Sequence, residues 1–193
     1  MTPSTALLTH VLGFLTLASD IALVVFALVF IVAITRKDSA RSIYARALIQ
    51  KVGRFALPLA LIVGIVGIVT TLYYSEVAGF EPCKLCWFQR IFLYPQAFIV
   101  IVALFRKTRD IGYYLITLSA LGVIVALYHY NLQWGGAPLI PCSADLTLAC
   151  SKRYFVEFGY ITESMMALTA FLSLIALSLT RIMFEKNNNQ SAA

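Results

Sequence analysis

Five long apolar runs alternate with polar connections along the chain, at about Val11 to Thr35, Phe55 to Tyr74, Trp87 to Phe105, Ile111 to Tyr130 and Ile161 to Thr180. Each is close to the roughly 20 residues that cross about 30 Å of hydrocarbon. No water inside a bilayer can satisfy backbone N–H and C=O groups, so runs of this length have to be helical. The pattern predicts an all-α integral membrane protein with five transmembrane helices. Pro58 falls in the first turns of its predicted helix, where a missing N–H costs little, and Pro95 is expected to kink a helix whose neighbours cover the freed carbonyl. The first run has no basic residue before it and exceeds the roughly 7–15 residues of a signal-peptide core, so it is expected to stay in the mature protein. No internal repeat is evident, and the polar end Lys186 to Ala193 is predicted to be disordered.

Composition agrees with this reading. Of the 193 residues 61% are apolar and 12% charged, whereas a soluble domain is about 45–50% apolar and about 25% charged. A water-soluble globule and a disordered chain are both excluded. The net charge of +6 is explained by its placement. Arg36, Lys37, Arg41, Arg46, Lys51 and Arg54 lie between the first two spans, Arg106, Lys107 and Arg109 follow the third, and Arg181 and Lys186 follow the fifth. By the positive-inside rule these segments are cytoplasmic, with the N-terminus outside and the C-terminus inside. Ser39 to Arg54 is predicted to form a short helix on the inner membrane surface. Membrane lipid is therefore the expected contact of the basic residues, and no basic and aromatic pattern points to nucleic acid.

Four cysteines remain, and that topology puts all of them in outward loops. Cys83 and Cys86 form a CxxC, and Cys142 and Cys150 share the fourth connection. Two structural disulfides are one reading. Against it, a bridge across two intervening residues closes a very small ring, which makes a poor staple and a good redox switch. Cys86 directly precedes the third apolar run, where a helix N-terminus favours a thiolate. Arg90 lies four residues on, one turn deeper on the same face, able to stabilise that charge and to hold a polar ligand head group. His129, with Gln133 four residues later, ends the fourth run at the same membrane face. Together Cys86, Arg90 and His129 suggest a pocket for a lipid-soluble electron acceptor. Asp20 counts back about 24 Å from Arg36, to the outer interface. Asp20 and Glu163 have two readings each, a carboxylate reaching head groups or a neighbouring helix, or one that assists proton release. Other classes are a zinc site built from the cysteines, a transporter, and a membrane scaffold with structural disulfides.

The run Cys83-Lys84-Leu85-Cys86-Trp87-Phe88-Gln89-Arg90-Ile91-Phe92-Leu93-Tyr94-Pro95, then Tyr128-His129-Tyr130-Asn131-Leu132-Gln133, then Pro141-Cys142 and Cys150, resembles the DsbB/BdbC family of membrane thiol:quinone oxidoreductases. The likeness spans about Phe55 to Thr180. It implies a bacterial inner-membrane enzyme of disulfide bond formation, probed on its non-cytoplasmic side by a thioredoxin-like DsbA/BdbD-type partner and reduced by it. Cys142 would be attacked by the partner, Cys150 would pass the electrons to Cys83, and Cys86 would face the quinone, ubiquinone or menaquinone. Arg90 would hold the Cys86 thiolate and a quinone oxygen, with His129 at the other side of the ring. Each transfer is a thiolate attack on a disulfide sulfur. No metal is expected, and the protein is expected to be a monomer.

The resemblance divides the chain into an extra N-terminal transmembrane helix with its basic connection (1–54), a four-helix bundle with two redox loops (55–184) and a tail (185–193). The family core has no counterpart for the first helix. With seven residues between Cys142 and Cys150, the loop resembles the compact BdbC-like members and restricts how far Cys150 can swing toward Cys83. A vitamin K epoxide reductase-like protein also uses a four-helix bundle, a CxxC and a quinone. In that family the CxxC follows the loop cysteines, whereas here it comes first.

Overall fold

The computed structural model describes residues 2–35, 40–106, 108, 110–138 and 150–191. They form helices α1 (Pro3–Thr35), α2 (Ala40–Leu72), α3 (Lys84–Arg106), α4 (Ile111–Gln133) and α5 (Glu163–Ser191), with a π-helical turn, Tyr73–Val77, continuing α2. All five are long and apolar enough to cross a membrane. Among the described residues the one extended pairing is an isolated antiparallel bridge between Glu157 and Ile161.

Helices α2, α3, α4 and α5 form a ring in which each packs mainly on its two neighbours, and α1 lies outside against α2 and α5. Alternating direction puts the start of α1, the ends of α2 and α4 and the starts of α3 and α5 at one end, which also carries the CxxC. The bundle core is apolar, built on Leu57, Leu93, Val100, Leu115, Phe171 and Leu174. Lipid tails are as apolar as this core, so helix association depends on close packing of small residues and on hydrogen bonds between helices. Gly122 supplies the first: a Cβ there would sit 2.4 Å from the Phe171 ring. Ser119 supplies the second, donating to Gln96 Oε1 at 2.9 Å in the buried interior. Large apolar side chains such as Val24, Leu28, Ile62, Val69, Phe98 and Ile124 face outward, as a lipid environment requires.

Three expectations are altered. The basic stretch is, from Ala40 onward, the first part of α2 and not a separate surface helix. Its only glycine before Phe55 is Gly53, which packs against the Thr180 backbone of α5, so tertiary contact supports the helix where propensity is weak. Pro58 consequently lies well inside α2 and not in its first turns. At the other terminus α5 continues to Ser191, past the point at which the sequence places a disordered tail. An i,i+4 ion pair between Arg181 and Glu185 at 2.8 Å supports this extension.

Candidate functional site

The site begins with the cap of α3. Four backbone N–H groups at a helix start have no partner within the helix. Here Cys83 supplies two acceptors: its Sγ takes the Cys86 N–H at 3.2 Å and its carbonyl takes the Trp87 N–H at 3.1 Å. The CxxC spacing thus makes one cysteine the cap and puts the other in the first turn, with the two Sγ atoms 2.9 Å apart. The helix starts at Lys84 and not at Trp87, so Cys86 belongs to the helix and does not merely precede it.

His129, from the end of α4, is 1% exposed. Its Nδ1 accepts from Gln89 Nε2 at 3.2 Å, and its Nε2 lies 3.6 Å from Cys83 Sγ. A neutral imidazole that accepts at Nδ1 carries its proton on Nε2 and donates it toward the sulfur. His129 therefore sits beside Cys83, with Gln89 fixing its tautomer, and it does not line the cavity described below. The Cys83 thiol is pushed up to about 12, first by its hydrogen bond to Cys86 and then by burial, against a smaller opposite effect of His129. Cys83 thus stays protonated throughout the physiological range. The reduced protein, briefly exposed to iodoacetamide at mildly alkaline pH, is expected to be alkylated at Cys86 and spared at Cys83. Peptide mass spectrometry reads the result, and label appearing first on Cys83 contradicts this arrangement.

Cys83, Cys86 and His129 bring three potential ligand atoms within 4.8 Å of one another. That set could hold a thiophilic ion. However, two sulfurs on one tetrahedral zinc stand about 3.8 Å apart for Zn–S bonds of about 2.3 Å, so the 2.9 Å separation is closer to a pair that makes and breaks a disulfide. Cys150, 1% exposed, packs in the same buried cluster as Cys83 and Leu132, with Cys86 against it. Cys142 lies outside the described residues.

On its other side Cys86 opens to a largely apolar cavity of about 300 Å³. Arg90 shares this wall. It is not extended to the membrane surface: it is 8% exposed, donates from Nη2 to the Thr71 carbonyl at 2.9 Å and stacks over Trp87 at 5.1 Å. Glu163, at the start of α5, lines the cavity too. Its Oε1 accepts from Gln133 Nε2 at 2.6 Å, while its buried Oε2 has no hydrogen-bond partner among the described residues. Gln133 Oε1 in turn accepts from Thr162 and Ser164, which fixes the amide. Asp20 reaches a neighbouring helix, its oxygens accepting from Tyr160 Oη at 2.9 Å and Thr169 Oγ1 at 2.6 Å.

An aromatic stack covers this end: Phe80 lies between Tyr74 and Tyr154, with ring centroids 5.4 and 4.3 Å away. Sequence reasoning missed Gln89 and Thr71 as supports of the site. Gln89 had a signal, being one helical turn from Cys86. Thr71 had none, because it contributes a backbone carbonyl.

Comparison with known proteins follows the same residues. The family model described as disulfide bond formation protein DsbB matches residues 53–184. The chain is 35% identical over 125 residues to the SPbeta prophage-derived disulfide bond formation protein B of Bacillus subtilis (strain 168), covering 65% of this chain and 84% of that one. It is 33% identical over 129 residues to the probable disulfide formation protein C of Bacillus cereus, covering 67% and 93%. It is 34% identical over 116 residues to disulfide bond formation protein C of Bacillus subtilis (strain 168), covering 59% and 83%. No solved structure matches.

Proposed function

This chain belongs to the DsbB family of membrane disulfide bond formation proteins, and from that premise we propose that it is a thiol:quinone oxidoreductase that reoxidises a thioredoxin-like partner outside the cytoplasm. One observation carries the reading. Of the CxxC pair only Cys86 lines the apolar cavity beside Arg90, while Cys83 is buried in a cluster with Cys150 that Cys86 also touches. A structural disulfide has no use for such a division. An electron relay needs it, with one sulfur for the incoming thiolate and one for the acceptor.

The cavity fits a quinone on its own chemistry. Its volume of about 300 Å³ is that of a small-ligand site, and the Arg90 guanidinium and Glu163 carboxyl groups lie on a largely apolar wall. When bound, the quinone supplies a two-electron sink that takes two protons. The protein's residues do the rest. The partner's thiolate attacks Cys142, and Cys150 leaves as thiolate. Cys150 attacks Cys83, the Cys83–Cys86 bond breaks, and Cys86 leaves with the electron pair. The guanidinium of Arg90 stabilises that negative charge, and the helix start adds its N–H groups. Cys83, His129 and Gln89 hold the pair in line. Glu163 keeps an exchangeable proton on the cavity wall. Arg46, Lys51, Arg54, Arg106 and Arg181 all lie toward the end opposite the CxxC, which supports placing the redox end outside the cytoplasm.

The test is quinone reduction by the purified protein in detergent, followed optically, with a reduced thioredoxin-like dithiol protein as donor. Turnover of ubiquinone or menaquinone is the expected result. No turnover with either, in protein that remains helical, overturns the quinone assignment.

A further inference from the structure

The family match begins at residue 53, so α1 lies wholly outside it. Yet α1 is not a bystander helix. Leu12, Leu15, Thr16 and Ser19 form part of the wall of the cavity onto which Cys86 and Arg90 open. Most of the remaining surface of α1 is exposed apolar side chain, so this narrow strip is where it meets the bundle's functional end.

Several contacts hold α1 in that place. Asp20 accepts from Tyr160 at 2.9 Å and from Thr169 at 2.6 Å, and Thr169 itself lines the cavity. Thr9 pairs with the buried Tyr74 hydroxyl at 3.2 Å. His10 meets Glu157 at 2.8 Å, and the Phe14 ring sits edge-on to Phe158 with centroids 4.9 Å apart. Phe158 holds a φ of 49°, which a non-glycine residue rarely adopts. An orientation supported by two helices and a connecting loop is a specified position for α1.

The chemistry that α1 offers the cavity is shape. The Thr16 hydroxyl donates to the Leu12 carbonyl and the Ser19 hydroxyl to the Leu15 carbonyl, each at 2.8 Å. Neither has its proton free to donate to a head-group carbonyl, and Leu12 and Leu15 have nothing polar to give. What remains is a wall of small and aliphatic groups facing the cationic and carboxyl groups of α3 and α5.

We propose that α1 is an added wall of the acceptor site, which selects the lipid-soluble acceptor by shape, and that Asp20 is the positioning residue that seats it. This rests on the quinone reading above and deepens it. Filling the wall narrows the space available to the acceptor without touching the cysteine relay.

Two measurements separate these effects. The first is equilibrium binding of a short-chain ubiquinone and of menadione to the detergent-solubilised protein, by titration calorimetry. The second is a single turnover without quinone, in which the oxidised protein accepts electrons from a reduced thioredoxin-like protein. Thr16→Phe is expected to weaken binding of at least one probe by about tenfold or more and to leave the single turnover unchanged. Thr16→Val keeps the volume and drops the hydroxyl, and is expected to bind as the wild type does. Asp20→Leu is expected to weaken binding, and Asp20→Asn, whose carbonyl can still accept a hydrogen bond, to restore most of it. Should Thr16→Phe lose the single turnover as well, Ser19→Phe decides by the same two readings. Wild-type affinity in Thr16→Phe and Ser19→Phe overturns the proposal alone. A Thr16→Val loss equal to that of Thr16→Phe overturns selection by shape. Absence of binding in the wild type overturns the quinone reading and this wall together.

Discussion

Cys86→Ser is expected to abolish quinone reduction, by about 10³-fold or more, in a chain that still folds and inserts. The reason lies in what the substitution spares. Serine is close in size to cysteine, the cap on α3 comes from Cys83 and not from Cys86, and the bundle core lies elsewhere. What is lost is the sulfur that leaves Cys83 with an electron pair, and a hydroxyl cannot form or release a disulfide. With no Cys83–Cys86 disulfide for Cys150 to attack, reduced partner should convert only the Cys142–Cys150 disulfide to two thiols, becoming oxidised once per chain with no further turnover. The measurement combines quinone absorbance with non-reducing peptide mass spectrometry. A structural role predicts the opposite pattern, a loss of thermal stability with no redox consequence. Wild-type turnover in Cys86→Ser removes this residue from the relay.

Arg90→Ala is expected to lower kcat/KM for quinone by about 10²-fold, the scale for losing one charged donor at a site where negative charge develops. Arg90 is nearly buried, and its position is set from two sides by the Thr71 carbonyl and the Trp87 ring. A guanidinium has enough donors to satisfy that carbonyl and still present others to the cavity. Arg90→Lys should recover only part of the loss, since an ammonium lacks the planar fork. Steady-state kinetics with varied quinone divides the effect. A change confined to KM means that Arg90 binds the acceptor uniformly, and an equal fall in kcat and kcat/KM means that it acts on charge formed during transfer. Unchanged kinetics in Arg90→Ala would leave Arg90 only a structural tie between α3 and α2.

Both predictions draw on residues whose relation is local. Cys86 and Arg90 are separated by about one helical turn, so their spacing sufficed to place them on one face. The cap geometry was nearly legible as well, differing by three residues in where the helix starts. His129 was visible as a group at the right depth, but its neighbours were not: the resemblance implies a place across a quinone ring, and the fold sets its ring beside Cys83 and Gln89. Asp20 and Glu163 each carried two readings because a carboxylate near an interface has many available partners. The structure gives Asp20 the neighbouring helix and gives Glu163 a place on the cavity wall.

The sequence by itself determined the membrane class, the five spans and the spacing of Cys83, Cys86 and Arg90 at the start of α3. A bilayer imposes helix length and internal backbone pairing on any apolar run, and helix geometry fixes spacings of three and four. Only the tertiary structure decided that Cys150 and Cys83 share a buried cluster, that Glu163 and Arg90 share a cavity and that α1 closes part of it. These contacts join residues far apart in the chain, through the packing of four or five helices whose apolar surfaces all look alike to lipid. Periodicity tells such a helix which length to span, and close packing and interhelical hydrogen bonds tell it which neighbour to choose.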